Sequence, residues 1–310
     1  MLVVVNEHSK GATGARRWAA ARAALRRSGL AFEEVRPASV PASDQAVVDG
    51  IARGHDVVVA AGGDGTVGAV LNALMDPRTD RPRRDVALGA IGLGSSNDFH
   101  KPMSPARRIG RLPARLAADA ATVIDVGKAR LVHPDGRTSV RYFVLNASAG
   151  IVAAGNAYFN DGAGVVRWLK SKHTEAAILY AAVVSMLRYR PRRIALRVDG
   201  ALVLDEPVTN IGVVKSMHFA GGMHYDTGGR RDDGQFDVNV WEAMGRARLL
   251  STVAHLYRGK FRGRPRTRCL RGAVVGLASD TALPLELDGE IFTVTAAELS
   301  VLPRALRVYG

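Results

Sequence analysis

The strongest chemical signal in the sequence is a run of five residues, Gly62-Gly63-Asp64-Gly65-Thr66. It follows an unbroken apolar run at 57–61 and precedes Val67, Val70, Leu71 and Leu74 at helical spacing. A buried strand therefore ends in a glycine-rich turn that opens a helix. Glycines let backbone N–H groups approach a ligand closely, and a helix N-terminus adds partial positive charge, so phosphate is the natural guest. A βα turn that needs glycine for its geometry alone would look the same. The GxxxxGK[ST] pattern of a P-loop is absent. Residues 63–68 match GxGxxG, but a dinucleotide site expects an acid at the end of the next strand, and that strand ends in Ala90-Ile91-Gly92. Asp64 would also repel a pyrophosphate unless a cation intervened.

Three other groups carry charge in a suggestive order. Asp288 and Glu290 stand at i and i+2 between strand-like runs. On an extended chain both would point to one face, where one could accept a hydroxyl proton while the other orients it. An exposed hairpin turn with solvated acids is the plain alternative. Asp232-Asp233-Gly234 reads by itself as a tight turn before a strand. The stretch 258–271 holds Lys260 and six arginines, among them Arg258 and Arg271, with Tyr257 and Phe261 nearby. It reads as a solvated connection or as a contact for anionic lipid headgroups, with nucleic acid ranked below both. The net charge of +14 favours anionic partners in general. Only seven of the 43 basic residues are lysines, so part of the excess reflects arginine-rich composition. One cysteine and no paired-histidine motif exclude a zinc centre and an internal disulfide. No secretory leader is read at the N-terminus, and the apolar run at 176–187 is too short to span a bilayer. A cytoplasmic location, peripheral at the inner membrane face, is the expectation.

The elements that would position these groups change character along the chain. Apolar strand runs at 2–6, 32–36, 55–61 and 86–91 alternate with helical patterns at 15–27, 45–53 and 66–75. Repeated βα units predict a parallel sheet covered on both faces. Beyond about 121, strand-like runs dominate: 142–147, 193–198, 210–214, 236–241, 273–277, 285–287 and 291–295, with a helix near 174–188. This predicts an antiparallel β-rich domain over 121–302, after an α/β domain over 1–120 to which the tail 303–310 returns.

Gly62-Gly63-Asp64-Gly65-Thr66 resembles the GGDGT signature of the diacylglycerol kinase catalytic family, which includes sphingosine kinases and bacterial lipid kinases; NAD kinases share it as distant relatives. Further matches follow in family order over most of the chain. Asn6-Glu7-His8-Ser9-Lys10-Gly11 resembles the NPxSG loop, and Gly94-Ser95-Ser96-Asn97-Asp98-Phe99 resembles GTxNDF. Ile124-Asp125-Val126-Gly127 resembles the acidic strand opening the second domain, and residues 143–150, with Asn146 and Gly150, the FxNxxxxG segment. Residues 232–238 resemble DDGxLDV, and Leu287-Asp288-Gly289-Glu290 the terminal DGE motif; these two argue against an NAD kinase. Glu7 stands where the family has proline, Lys10 where it has glycine, Gly68-Ala69 where it has Asn-Glu, and Ser95 where it has threonine.

The resemblance implies a Rossmann-like α/β nucleotide domain, an antiparallel β-sandwich lipid-substrate domain, and an active site in the cleft between them. It implies transfer of the γ-phosphate of ATP to a lipid hydroxyl at a membrane surface, diacylglycerol giving phosphatidic acid. A sphingoid base, an NAD kinase-like reaction and a non-catalytic binding relative are the alternatives. Nucleotide contacts fall to Asn6, Ser9, Lys10, Gly62, Gly63, Asp64, Gly65, Thr66, Ser95, Asn97 and Asp98. Asp64, Asp98 and Asp125 would form a Mg²⁺–ATP network. A structural Mg²⁺ would be held by Asp233 and the main-chain carbonyls of Arg230 and Gln235. Glu290 would be the base, with Asp288 beside it.

Overall fold

The computed structural model describes residues 1–9, 13–101, 107–162, 164–172, 174–227 and 230–310. The chain divides into two compact units, Met1–Val126 with Leu302–Gly310, and Gly127–Val301. The division falls at Val126/Gly127 rather than near 120, because a single strand runs through the junction.

The first unit contains β1 (Leu2–Val5), α1 (Gly14–Arg27), β2 (Glu33–Val35), α2 (Val40–Ala52), β3 (Val57–Gly62) and α3 (Asp64–Leu74). A short ribbon follows, β4 (Met75–Asp76) with β5 (Arg81–Pro82), then β6 (Ala87–Gly92) and a 3₁₀ turn, Asp98–His100. A second ribbon, β7 (Arg108–Ile109) with β8 (Leu112–Arg115), and the start of β9 (Thr122–Val132) complete it. Strands β2, β1, β3 and β6 lie side by side in that order, all parallel. The return segment adds a further parallel pairing, Arg307 with Ala87 and Val308 with Leu88. Every residue of β1, β3 and β6 is buried, as expected of strands covered on both faces. Helix α1 presents Trp18, Ala21 and Leu25 to the face bearing Val3, Val5, Val59 and Ile91. Helix α2 lies against Leu2: a Cβ on Gly50 would come within 2.5 Å of Leu2 Cδ2. It starts at Val40 rather than at 45, because the Ser39 hydroxyl caps it by accepting from the Ala42 amide and Pro41 is tolerated in a first turn.

The second unit takes the rest of β9, then β10 (Thr138–Phe143), β11 (Asn146–Gly150), α4 (Ile151–Asp161), α5 (Gly164–Lys172), α6 (Thr174–Arg188), β12 (Arg192–Val198) and β13 (Ala201–Val214). A small ribbon, β14 (His218–Phe219) with β15 (Met223–His224), precedes β16 (Phe236–Glu242), α7 (Arg246–Leu256), β17 (Thr267–Gly272), β18 (Val274–Leu287) and β19 (Glu290–Val308), whose last residues belong to the first unit. The sheet is antiparallel in the order β17, β16, β13, β11, β18, β19, with β12 pairing both β13 and β18. Alternate residues of these strands build one core around the stacked rings of Phe143 and Phe236, 5.6 Å apart. The opposite face of β16 sends Trp241 into a second cluster with Tyr225, Phe261 and the α7 residues Leu249 and Leu256. No described helix is long and apolar enough to cross a membrane.

Candidate functional site

In the first unit, the loops after β1, β3 and β6 meet at the C-terminal ends of their parallel strands, where ligands of open α/β sheets collect. The Asn6 amide donates to Ala61 O at 2.9 Å, and Asn6 Nδ2 donates to Thr66 Oγ1 at 3.1 Å. The amides of Leu93 and Gly94 both donate to Gly62 O, at 2.7 and 3.3 Å. Asn97 closes the third loop on itself: its Oδ1 accepts from the Gly94 amide at 3.1 Å and its Nδ2 donates to Gly94 O at 3.0 Å. Two glycines are dictated by close approach. A Cβ on Gly62 would fall 2.1 Å from Thr66 Oγ1, and one on Gly94 2.6 Å from Gly63 Cα. Gly65 and Ser95 are exposed at the rim, with Ser9 half-buried nearby in sequence to Asn6. Lys10 lies outside the described residues. Glu7, in the proline's place, pairs with Arg36 at 2.8 Å.

Arg17 was not legible as part of this site. It sits on the α1 face where arginines look solvated, yet its guanidinium donates to Leu93 O at 2.6 Å, Gly94 O at 2.9 Å and Gly92 O at 3.3 Å. The carbonyl side of the third loop is thereby tied to a cation.

Asp64 heads α3 and accepts from the Phe99 amide at 3.0 Å. Asp98 is buried and takes the Lys101 ammonium at 2.7 Å. Burial, and then the charge of Asp98, pushes the Asp64 carboxyl above the ordinary aspartate range, against the pull of the Phe99 and Asp98 amides and of Lys101. A carboxyl whose ionisation is disfavoured by burial and by a second carboxylate beside it is a fitting place for a divalent cation. Among the described residues no cluster of three or more acidic, histidine or cysteine side chains could hold a metal by itself. A Mg²⁺ here would therefore need phosphate oxygens and water to complete its shell. Asp125 is buried elsewhere in the unit's network: its carboxylate accepts from the Arg304 amide at 2.8 Å, where Arg304 adopts a left-handed φ of 47°. That contact ties β9 to the return segment.

The second unit's acids do not share an extended face, as the i and i+2 spacing suggested. Asp288 and Gly289 form a two-residue turn with φ of 46° and 91°, so Glu290 lies opposite Leu287 at the start of β19. Nor is Asp288 solvated. It is buried, and its carboxylate accepts from the amides of Val144 at 2.8 Å, Leu145 at 2.9 Å and Asn146 at 3.0 Å. This is why the strand expected over 142–147 breaks into β10 and β11. Glu290 is exposed. A third acid, Glu286, was missed. It is buried, accepting from Asn146 Nδ2 at 2.9 Å and from the Gly289 amide at 2.6 Å. A charged residue inside the apolar run of β18 was the available signal.

Asp233 and the carbonyls of Arg230 and Gln235 do come together, around the ammonium of Lys215. In the basic stretch, Arg266 and Arg268 pair with Glu242, Arg268 also with Glu206, and Arg271 with Asp233 and Asp237. Half of its arginines thus serve internal ion pairs. Arg264 and Arg266 line, with Arg246 and Arg248, a surface hollow of about 720 Å³.

The matches with known proteins follow the two units. Residues 1–129 match the diacylglycerol kinase catalytic domain, and residues 147–310, more than half of the chain, match the YegS C-terminal NAD kinase beta sandwich-like domain. The chain belongs to the diacylglycerol kinase catalytic-domain family. It is 25% identical to a diacylglycerol kinase of Mycobacterium tuberculosis over 261 residues, covering 83% of this chain and 78% of that one. It is 26% identical to a diacylglycerol kinase of Staphylococcus aureus over 258 residues, covering 83% and 75%. Its fold is similar to a crystal structure of a diacylglycerol kinase from Bacillus anthracis, with a TM-score of 0.66 at 16% identity, covering 100% of this chain and 96% of that one.

Two predictions arise from these kinase-family acids. The folded state favours protonated Asp64, so its stabilising share is full below the ordinary value of 3.8 and is lost as pH rises through the raised folded value. Asp64→Asn, which can still accept from the Phe99 amide, should melt at or above the wild-type temperature at neutral pH and lose that advantage near pH 4. A variant less stable than wild type at pH 7 would contradict the assignment. In the second unit, Asp288→Ala leaves three buried amides without their acceptor, a loss of about 3 kcal/mol or more, whereas exposed Glu290→Gln should stay within about 0.5 kcal/mol of wild type. Chemical denaturation of both variants measures the contrast.

Proposed function

We propose that this chain is an ATP-dependent lipid kinase that phosphorylates the free hydroxyl of diacylglycerol to give phosphatidic acid. The observation that carries this reading is the three-loop cradle at the strand ends of the first unit, with the Asp64–Asp98 carboxylate pair at its edge. The names of the relatives support the lipid, and the family supports the kinase activity.

In this reading the first unit is a Rossmann-like nucleotide domain and the second the lipid-substrate domain. The ATP phosphates rest on the loops at residues 6–9 and 62–66 and on the Ser95 hydroxyl. Mg²⁺ at Asp64 and Asp98, when bound, neutralises charge on the phosphates. The lipid oxygen attacks the γ-phosphorus in line, the bond to the β–γ bridging oxygen breaks, and ADP leaves. Asp288 is spent on three amides, so the acceptor's proton goes to Glu290. Catalysis is then mostly positioning and charge neutralisation. The hollow lined by Arg246, Arg248, Arg264 and Arg266 suits anionic headgroups at the inner membrane face, where the substrate lies.

Transfer of radiolabelled phosphate from Mg²⁺–ATP to a panel of diacylglycerol, a sphingoid base and NAD tests the proposal. Label in phosphatidic acid is expected; label in another acceptor names a different kinase, and none at all favours a binding relative. Asp64→Asn should slow transfer at least about 100-fold, roughly 2.7 kcal/mol of barrier. Glu290→Gln should keep nucleotide affinity by calorimetry and lose about 10²–10⁴-fold in transfer rate. Weakened ATP binding with an unchanged maximal rate would remove Glu290 from the base role.

A further inference from the structure

We propose that Lys215 takes the place of a structural divalent cation in the 230–235 loop, so that the second unit holds its shape without metal. The ammonium lies 3.0 Å from Arg230 O, 2.9 Å from Asp233 Oδ1 and 2.7 Å from Gln235 O. These are the oxygens that the family resemblance assigns to a structural Mg²⁺. A lysine has three N–H donors and no acceptor, and here each oxygen matches one donor. The Lys215 side chain is 1% exposed, so the ammonium has no water shell to fall back on. A buried cation persists only when it is paired and hydrogen-bonded, and this loop supplies both conditions.

The donor set does not fit an additional Mg²⁺. That ion demands oxygens at about 2.0–2.1 Å in an octahedral shell, and Nζ stands 2.7–3.0 Å from all three oxygens, where the ion would have to sit. Asp233 has no charge to spare. Its Oδ1 also accepts from the Gln235 amide at 3.2 Å. Its Oδ2 accepts from the Arg230 amide at 3.3 Å and pairs with the Arg271 guanidinium. Asp232 pairs with the Arg230 side chain at 3.0 Å, and Asp237 with Arg271 at 3.4 Å. A divalent ion would enter a site whose single central carboxylate already faces two cations.

The lysine is also delivered with care. Residue 215 follows the end of β13, and the amides of Lys215 and Ser216 both donate to Leu145 O, at 2.8 and 3.0 Å. Leu145 is in turn held by Asp288. The cation is thus anchored through its own backbone beside the Asp288 bend, and it clamps the loop that leads into β16.

Thermal unfolding of the full chain without nucleotide, in EDTA and in millimolar Mg²⁺, tests the proposal. The wild type should melt at the same temperature in both, in an Asp64→Asn background as well, which removes any response from the nucleotide loops. Lys215→Ala should melt roughly 5–15 °C lower in EDTA. It should regain part of that in Mg²⁺, a gain lost in the Lys215→Ala, Asp233→Asn double variant. A wild-type Mg²⁺ response that survives Asp64→Asn and disappears in Asp233→Asn would overturn the proposal, whether or not Lys215→Ala folds. So would a Lys215→Ala protein that melts with the wild type.

Discussion

A carboxylate buried among backbone amides can do almost nothing else, and Asp288 imposes that constraint on the second unit. Its two oxygens take three consecutive N–H groups, so residues 144–146 cannot continue the β10 ladder and must bend into β11. The same residue, at φ 46°, turns β18 back into β19. Around this bend the neighbouring groups find their partners: Asn146 reaches Glu286, and Leu145 O receives the amides of Lys215 and Ser216. The three acids between residues 286 and 290 therefore have separate tasks. Asp288 sets the backbone, Glu286 braces the turn through Gly289, and Glu290 is carried to the surface.

The first unit solves a different problem, which is how to bring three chain segments within backbone contact at the ends of their strands. Glycine at 62 and 94 permits the approach, and hydrogen bonds to Gly62 O and Thr66 Oγ1 fix it. Arg17 holds the carbonyls of the third loop from the α1 side. With those acceptors engaged, what the third loop no longer offers is carbonyl oxygen, and the N-terminus of α3 beside it suits anions. At these loops stand the Asp64 carboxyl, whose ionised form a cation would favour, and Asp98, paired with Lys101.

Local patterns were readable and long-range ones were not. The strand–glycine turn–helix at 57–74 announces itself because its apolar run, its glycines and its helical spacing are contiguous. The parallel sheet followed from repetition of that unit, and the placing of Asp64 and Asp98 in neighbouring loops came from the family resemblance. Arg17 was hidden because one exposed-looking helical arginine resembles another until the partner loop, 76 residues away, is in place. Lys215 was hidden for the same reason: a lysine after a strand is usually a solvated end, and its partners lie 15, 18 and 20 residues on. Asp288-Gly289 was half legible. Asp-Gly is a strong two-residue hairpin signal, so the turn could be foreseen, but the burial of Asp288 depended on residues 144–146.

The return segment has a consequence for how the protein is made. Strand β6 receives Arg307 and Val308 as a parallel neighbour, a separation of 220 residues from Ala87 to Arg307. During synthesis, the glycine loops and their strands emerge long before that neighbour does. Strand β8 covers Ala90 and Ile91 early, but Ala87 and Leu88 at the start of β6 lack their partner while the second unit is still being translated. Closing so long a loop is slow. Completion of the first sheet is thus a late event in folding, waiting on the end of β19.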